Sequence, residues 1–381
     1  MATGIIAEYN PFHKGHKYHI EKTAEKTNED IVALISGNFV QRGEPAMLEK
    51  HIRTKMALLN GVSMVLELPV EYATGAADVF AMGAAYILEK SGIINFLSFG
   101  SEAGTTSALE ETAIILNNEP PKFKTLMKDS LDKGYSYPLA RNKALEAYLN
   151  KKIDFLNKPN NILGLEYIRA LKNLNSKIKP VTIERIISDY NSSRLSGEIS
   201  SASAIRTAIL NKDYSALSSI PQNITDLINC DDLPTLNDFT QILMYILRTQ
   251  SSQTISQYAD VTEGLENRIT NTDFTSINEL IDKIKTKRYT YSKLRKAILH
   301  IILGVTKEMQ SSPPRYIRVL GIRSDKEYLL KSLFKKSQLP VIVNVKANEN
   351  LLSTEIRTTD IYNIPLNKKS GLEYTTPLVI V

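Results

Sequence analysis

Four short apolar runs, each followed by a stretch of helical periodicity, constrain the first half of this 381-residue chain more than any other feature. The runs span residues 4–7, 31–35, 64–68 and 96–99, and the helical patterns span 17–26, 50–59, 77–90 and 107–116. A short run apolar on both faces suits a strand covered on both sides. A helix between successive strands is long enough to make a parallel crossover. The alternation predicts an α/β fold with a doubly wound parallel sheet and a ligand crevice at the C-terminal strand ends. Polar residues with chemical potential fall there: His13 after the first run, Ser36-Gly37-Asn38 after the second, and Gly100-Ser101-Glu102 after the fourth.

Residues 118–160 read as an insertion rich in helix formers, bounded by Pro120-Pro121 and Pro159. Asn160-Asn161 then caps a predicted amphipathic helix running to about residue 174, and a strand over 181–187 returns to the sheet. Residues 191–198 are polar and glycine-containing, the pattern of a loop. Beyond Pro234 helices are expected over 239–248, 277–285 and 291–302, and strands over 316–321, 341–345 and 378–381. Two domains are expected, a catalytic one over 1–218 and an α-rich one over 219–381 with a small terminal α/β portion. No apolar run approaches bilayer-spanning length and the N-terminus lacks a signal pattern, so no membrane partner is expected. One cysteine, Cys230, permits no internal disulfide, which suits the reducing cytoplasm.

The first chemical motif is His13-Lys14-Gly15-His16, after the turn Asn10-Pro11-Phe12. A strand, a tight turn and a helix start offer a phosphate free backbone N–H groups, the positive helix end and imidazole donors. Glycine at 15 lets backbone approach an anion closely. Histidines at 13, 16 and 19 also allow a metal site, but a metal would recruit more acids or cysteines, and only Glu8 is near. A purely structural turn is the third possibility. The strand–loop–helix placement favours nucleotide phosphate. A second element, Ser200-Ser201-Ala202-Ser203-Ala204-Ile205-Arg206, places hydroxyls at a helix start and a guanidinium one turn inside, a set suited to a triphosphate or to a plain serine cap.

An early HxGH with a late Ser-x-x-Ile-Arg element resembles the nucleotidyltransferase superfamily. The resemblance narrows with Glu8-Tyr9-Asn10-Pro11-Phe12-His13-Lys14-Gly15-His16, Ser36-Gly37-Asn38-Phe39-Val40-Gln41-Arg42-Gly43-Glu44-Pro45-Ala46, Phe99-Gly100-Ser101-Glu102 and Pro159-Asn160-Asn161-Ile162-Leu163-Gly164. Together these are similar to the bacterial tRNA(Met) cytidine acetate ligase family, over roughly residues 4–206. The resemblance implies a Rossmann-like nucleotidyltransferase domain that activates acetate with ATP as acetyl-adenylate. It further implies transfer of the acetyl group to N4 of the wobble cytidine of elongator tRNA(Met). By that resemblance His13 and His16 are catalytic. Ile6, Ala7, Glu8, Tyr9, Asn10, Pro11, Phe12, His13, Lys14, Gly15, His16, Lys17, Tyr18 and His19 wrap ATP, and Gly100, Asn160 and Arg185 complete the pocket. Ser201, Ser203 and Arg206 assist at the phosphates. Mg²⁺ is expected to neutralise pyrophosphate, although no carboxylate pair identifies its site.

The 47 basic and 41 acidic residues give a net charge of +6, too small to prove a nucleic-acid partner. The clustering of Lys283, Lys285, Lys287, Arg288, Lys293, Arg295 and Lys296 around Tyr289 and Tyr291 is more pointed. Cations neutralise phosphates and tyrosines stack on unpaired bases, so Lys285, Lys287, Arg288 and Lys293 form a candidate tRNA surface; a solvated helix face is the alternative. Residues 36–45, with Gln41 and Arg42, either contact the reacting carbonyl or form a structural loop held by Gly37, Gly43 and Pro45. Two other functions compete. One is a small-molecule adenylyltransferase, which needs no second basic domain. The other is a non-catalytic RNA-binding protein on the same scaffold.

Overall fold

The structure is a computed structural model, described for residues 1–101, 105–153, 158–184, 200–230, 233–262, 264–286 and 289–381. Its strands are β1 (Ala2–Ala7), β2 (Asp30–Ser36), β3 (Phe39–Val40), β4 (Glu44–Pro45), β5 (Met64–Leu68), β6 (Ile94–Ser101), β7 (Lys179–Glu184), β8 (Ile317–Ile322), β9 (Val341–Ile342) and β10 (Val379–Ile380). The main sheet runs β10-β8-β5-β2-β1-β6-β7, with β9 paired to β8. The four predicted N-terminal runs form β1, β2, β5 and β6, joined in parallel. Strand order reverses at β1: the chain builds outward through β2 and β5, then returns to place β6 and β7 on the other side. That reversal opens a crevice above the carboxyl ends of β1 and β6.

Apolar side chains fill both faces. On one, Ala84, Leu88, Leu109, Leu165 and Leu333 from flanking helices pack on Leu66 and Leu97. On the other, Ile20, Met56, Ala57, Ile205 and Ile224 pack on Ile5, Ala33, Ile35 and Val65. Gly164 is demanded by the fit, since a Cβ there would lie 2.5 Å from the Phe99 ring.

The expected C-terminal helices appear as Thr240–Thr249, Ile277–Ile284 and Tyr291–Leu303. They build a separate apolar core around Phe239, Leu243, Leu280 and Ile298. The terminal strands do not stand apart. β8 pairs antiparallel with β5, and β9 and β10 pair with β8, so the main sheet crosses the expected boundary at 218/219. A four-charge cluster seals this join: Lys50 Nζ lies 2.6 Å from Glu67, Arg318 Nη2 lies 2.5 Å from Glu373, and Lys50 also reaches Glu373. The helices Glu327–Lys336 and Glu349–Asn363 were not anticipated from sequence. The predicted loop at 191–198, the end of the predicted strand at 185–187, and Glu102 lie outside the described residues.

Candidate active site

The chain leaves β1 through Tyr9, whose φ of 48° is left-handed, and a cis Asn10-Pro11 bond, and enters the helix Lys14–Thr27 at His13. His13 is the N-cap. The Gly15 N–H donates to His13 Nδ1 (3.0 Å), and the His13 N–H donates to His16 Nδ1 (3.3 Å). The two rings stack with centroids 3.8 Å apart. Tyr9 and Phe12 pack on the His16 ring, at 5.0 and 5.6 Å between centroids. A nitrogen that accepts an N–H bond carries no proton, so each neutral ring holds its proton on Nε2. Both imidazoles are thereby fixed as Nε2–H donors beside a helix N-terminus, the arrangement that suits phosphate oxygens.

His19 belongs to a different contact, its Nε2 lying 3.0 Å from Ser98 Oγ. Its ring also borders the first of two cavities at the His13–His16 pair. Among the described residues no group of three or more His, Cys, Asp or Glu is placed to hold a metal ion.

Two cavities meet at the histidine pair. The first, about 190 Å³, is bordered by Ile6, His13, Gly15, Tyr18, His19, Gly100, Asn160 and Ser201, on the β6–β7 side of β1. The second shares His13, His16, Asn160 and Tyr167 with it. It extends toward β2 and is bordered by Glu8, Asn10, Gln41, Arg42, Ser203 and Arg206. The structure thus brings together most of the nucleotide residues expected from sequence. Arg185 lies outside the described residues.

Ser201 is the N-cap of the helix Ala202–Leu210, its Oγ accepting from the Ala204 N–H at 3.1 Å. Ser203, expected just before the helix, lies inside it, because the helix already starts at Ala202. Arg206 Nη1 donates to the Asn10 carbonyl (2.6 Å), which ties the second motif to the turn before the first. Asn160 and Asn161 do not cap the helix Pro159–Asn173; they lie in its first turn, with Pro159 leading it. Proline at that position loses no helical hydrogen bond, and it frees Asn160 to face the cavities. Asn161 instead accepts from Ser101 Oγ at 2.8 Å.

Three sets of contacts were not legible in the sequence, although Glu8 and Tyr9 belong to the first motif. Glu8 Oε1 accepts from the Gln41 N–H at 2.9 Å, which joins the end of β1 to the β3–β4 hairpin. Arg53 is fully buried and donates to the carbonyls of Leu48 (2.8 Å), Glu8 (2.6 Å), Ser36 (3.0 Å) and Gly37, clamping the ends of β1 and β2. Burial holds its pKa below the usual guanidinium value. Tyr9 and Tyr167, both buried, have their phenols pushed up by desolvation and stay neutral. The Glu8–Gln41 bond and the Arg53 bonds to Glu8, Ser36 and Gly37 all join residues far apart in the chain.

The hairpin shows what holds residues 36–45 in place. Phe39 packs on Phe239 and Tyr362, both at 5.8 Å, inside the C-terminal core. Gly43 has φ 76°, and a Cβ there would lie 2.7 Å from the Lys296 backbone nitrogen. The loop is structural at Phe39 and Gly43, while Gln41 and Arg42 border the second cavity.

The basic segment is thinner than its composition suggests. Tyr289 is buried in the C-terminal core and unavailable for stacking on a base. Arg295 pairs with Glu44, and Lys296 donates to the Gly75 carbonyl at 2.8 Å. Lys285, whose Nζ lies 4.2 Å from the centre of the exposed Tyr291 ring, and Lys293 remain at the surface or near it. Lys287 and Arg288 lie outside the described residues.

Comparison with known proteins agrees with this geometry. The HIGH Nucleotidyl Transferase family matches residues 1–375. A tRNA(Met) cytidine acetate ligase of Acetivibrio thermocellus is 37% identical, with 99% of each chain covered. One from Caldicellulosiruptor saccharolyticus is 43% identical over 95% of this chain and 93% of its own. Among solved structures, Thermotoga maritima TmcAL superimposes with a TM-score of 0.93 at 29% identity, with both chains fully covered. A second structure of that protein, bound with alpha-thio ATP, gives 0.91 over the same coverage. With the histidine pair at the strand-order reversal and this likeness from end to end, the chain belongs to the tRNA(Met) cytidine acetate ligase family of HIGH nucleotidyl transferases.

Proposed function

We propose that this chain is an ATP-dependent ligase that forms acetyl-adenylate and acetylates N4 of the wobble cytidine of elongator tRNA(Met). The observation that carries the reading is the locked pair His13 and His16, both Nε2–H donors at one helix N-terminus, in a chain that matches named ligases along nearly its whole length. An acetate oxygen attacks the α-phosphorus in line, and pyrophosphate leaves. The nucleophile is already anionic, so the step needs charge stabilisation more than proton transfer. Two imidazole N–H groups and a helix N-terminus supply it without reorganising. Ser201, Ser203 and Arg206 assist from the adjoining helix, and Gly100, Asn160 and Arg185 hold the nucleoside.

Mg²⁺ would arrive with the triphosphate, since the described residues offer it no cluster of their own; no step here depends on it. The tRNA is held by the α-rich part of 219–381, through Lys285, Lys287, Arg288 and Lys293, in the cytoplasm.

Two assays test this reading. ATP–pyrophosphate exchange should require acetate and ignore nicotinate- or pantetheine-type phosphates. Mass spectrometry of tRNA nucleosides should find N4-acetylcytidine after incubation with ATP and acetate. His16→Ala should lower the exchange rate by about 10²–10³-fold, the usual loss of one oxyanion-type donor. Undiminished tRNA acetylation by that variant would remove the catalytic assignment.

A further inference from the structure

We infer that Glu8 is the base that takes the proton from the cytidine amine when the acetyl group is transferred. The inference rests on the acetyl-adenylate reading above and concerns its second step alone.

The second cavity is bordered by the hairpin that contacts the segment proposed for tRNA. Its wall toward β2 is the hairpin, and the other side of that hairpin sits on the N-terminal half of the helix Tyr291–Leu303, through Gly43 against Lys296 and Glu44 paired with Arg295. That helix begins in the basic segment proposed for tRNA. The second cavity therefore lies nearer that segment than the first, which is bordered by the ends of β6 and β7.

The groups bordering the second cavity differ sharply in what they can accept. His13 and His16 have their basic Nδ1 atoms occupied by backbone N–H groups and present donors. Arg42 and Arg206 are cations. Tyr9 and Tyr167 are neutral phenols, and Asn10, Gln41 and Asn160 are amides, which do not take protons near neutrality. Glu8 is the one carboxylate among the described residues bordering this space. Its Oε1 accepts from the Gln41 N–H at 2.9 Å, which leaves Oε2 as the remaining acceptor of a carboxylate that borders the same cavity as the histidine pair. Glu184, the other carboxylate near the site, borders the first cavity instead.

In the transfer step the N4 lone pair attacks the acetyl carbonyl carbon and a C–N bond forms. The bond from that carbon to the phosphate oxygen breaks, and AMP leaves with the electron pair. One N4 proton passes to Glu8 Oε2, which later returns it to water. An aromatic amine is a weak nucleophile because its lone pair is delocalised into the ring, so removing its proton as the bond forms matters more than for an alkyl amine.

The test separates the two half-reactions in the full chain. Acetate-dependent ATP–pyrophosphate exchange reads the first, and single-turnover acetylation of tRNA(Met) reads the second. Glu8 also borders the nucleotide residues, so the readout is a ratio: Glu8→Gln should slow transfer by ~10²-fold or more, the usual contribution of a general base, and at least about tenfold more than it slows exchange. Added azide should restore transfer in Glu8→Ala and do nothing for exchange; a merely structural role would not respond to a small soluble base. Transfer that stays fast in Glu8→Gln, slows in step with exchange, or ignores azide overturns the assignment of Glu8. Exchange that fails to require acetate in the parent chain overturns the ligase reading itself, so the two failures are distinguishable.

Discussion

Arg53 shows how one side chain can set the shape of a site it does not enter. Its buried guanidinium gathers four backbone carbonyls, three of them at the ends of β1 and β2. Those ends carry Glu8 and the entry to the hairpin. Arg53→Met would leave the four carbonyls unpaired in the core and should lower unfolding free energy by roughly 3–5 kcal/mol. Urea denaturation measures this; an unchanged midpoint with an unchanged slope would show that the clamp is dispensable. Nothing in the local sequence marks Arg53, because its neighbours Met56 and Ala57 read as an ordinary apolar helix face. His13, His16 and Ser201 were legible for the opposite reason, since their bonds close within three residues.

Among the elements, the β3–β4 hairpin links the two halves. Each strand has two residues, too few for any periodicity to be read, yet Phe39 belongs to the C-terminal core and Tyr362 Oη donates to the Ala46 carbonyl at 2.8 Å. The helix Tyr291–Leu303 was legible from its amphipathic spacing, but which of its cations face solvent was not. Arg295 and Lys296 are spent on the hairpin and on Gly75, which leaves Lys285 and Lys293 as the described members of the proposed tRNA surface. Changing Lys285 and Lys293 to Glu should weaken tRNA binding and flatten its dependence on salt, by about one unit of log–log slope for each phosphate no longer neutralised. Filter-binding titrations across a salt series measure this, with acetate-dependent exchange as the control. An unaltered slope would move the tRNA elsewhere.

Across the whole molecule, buried charge concentrates where the C-terminal segment joins the sheet. Although burial opposes ionisation of Glu373, Lys50 and Arg318 beside it hold its carboxyl well below the usual range. Nearby, the Glu355 carboxyl accepts from the Val70 N–H at 3.2 Å, and burial together with Glu355 pushes Glu71 up to about 8. Arg315 and Arg357 oppose that rise only in part. A folded-state value above the ordinary carboxylate value of 4.5 means the folded chain binds this proton more tightly than the unfolded one. The associated stability is complete below about pH 4.5 and is lost as pH rises through about 8. Glu71→Gln should therefore remove a decline in melting temperature between about pH 5 and 8 and exceed the parent in stability at the upper end. Calorimetry at matched ionic strength checks it; a parallel pH profile in the variant would assign the decline to other groups.

Sequence alone determined the alternating strands and helices, their assembly into a parallel core, and the two motifs that meet at the crevice. These depend on periodicity and on bonds between near neighbours, which survive in one dimension. The tertiary structure decided the antiparallel return of β8 to β5, the burial of Tyr289, and the meeting of Glu8 with Gln41 and Arg53. Each of those depends on desolvation and hydrogen-bond geometry between distant segments. Such terms are set by what the folded chain places opposite a residue, not by the residues on either side of it.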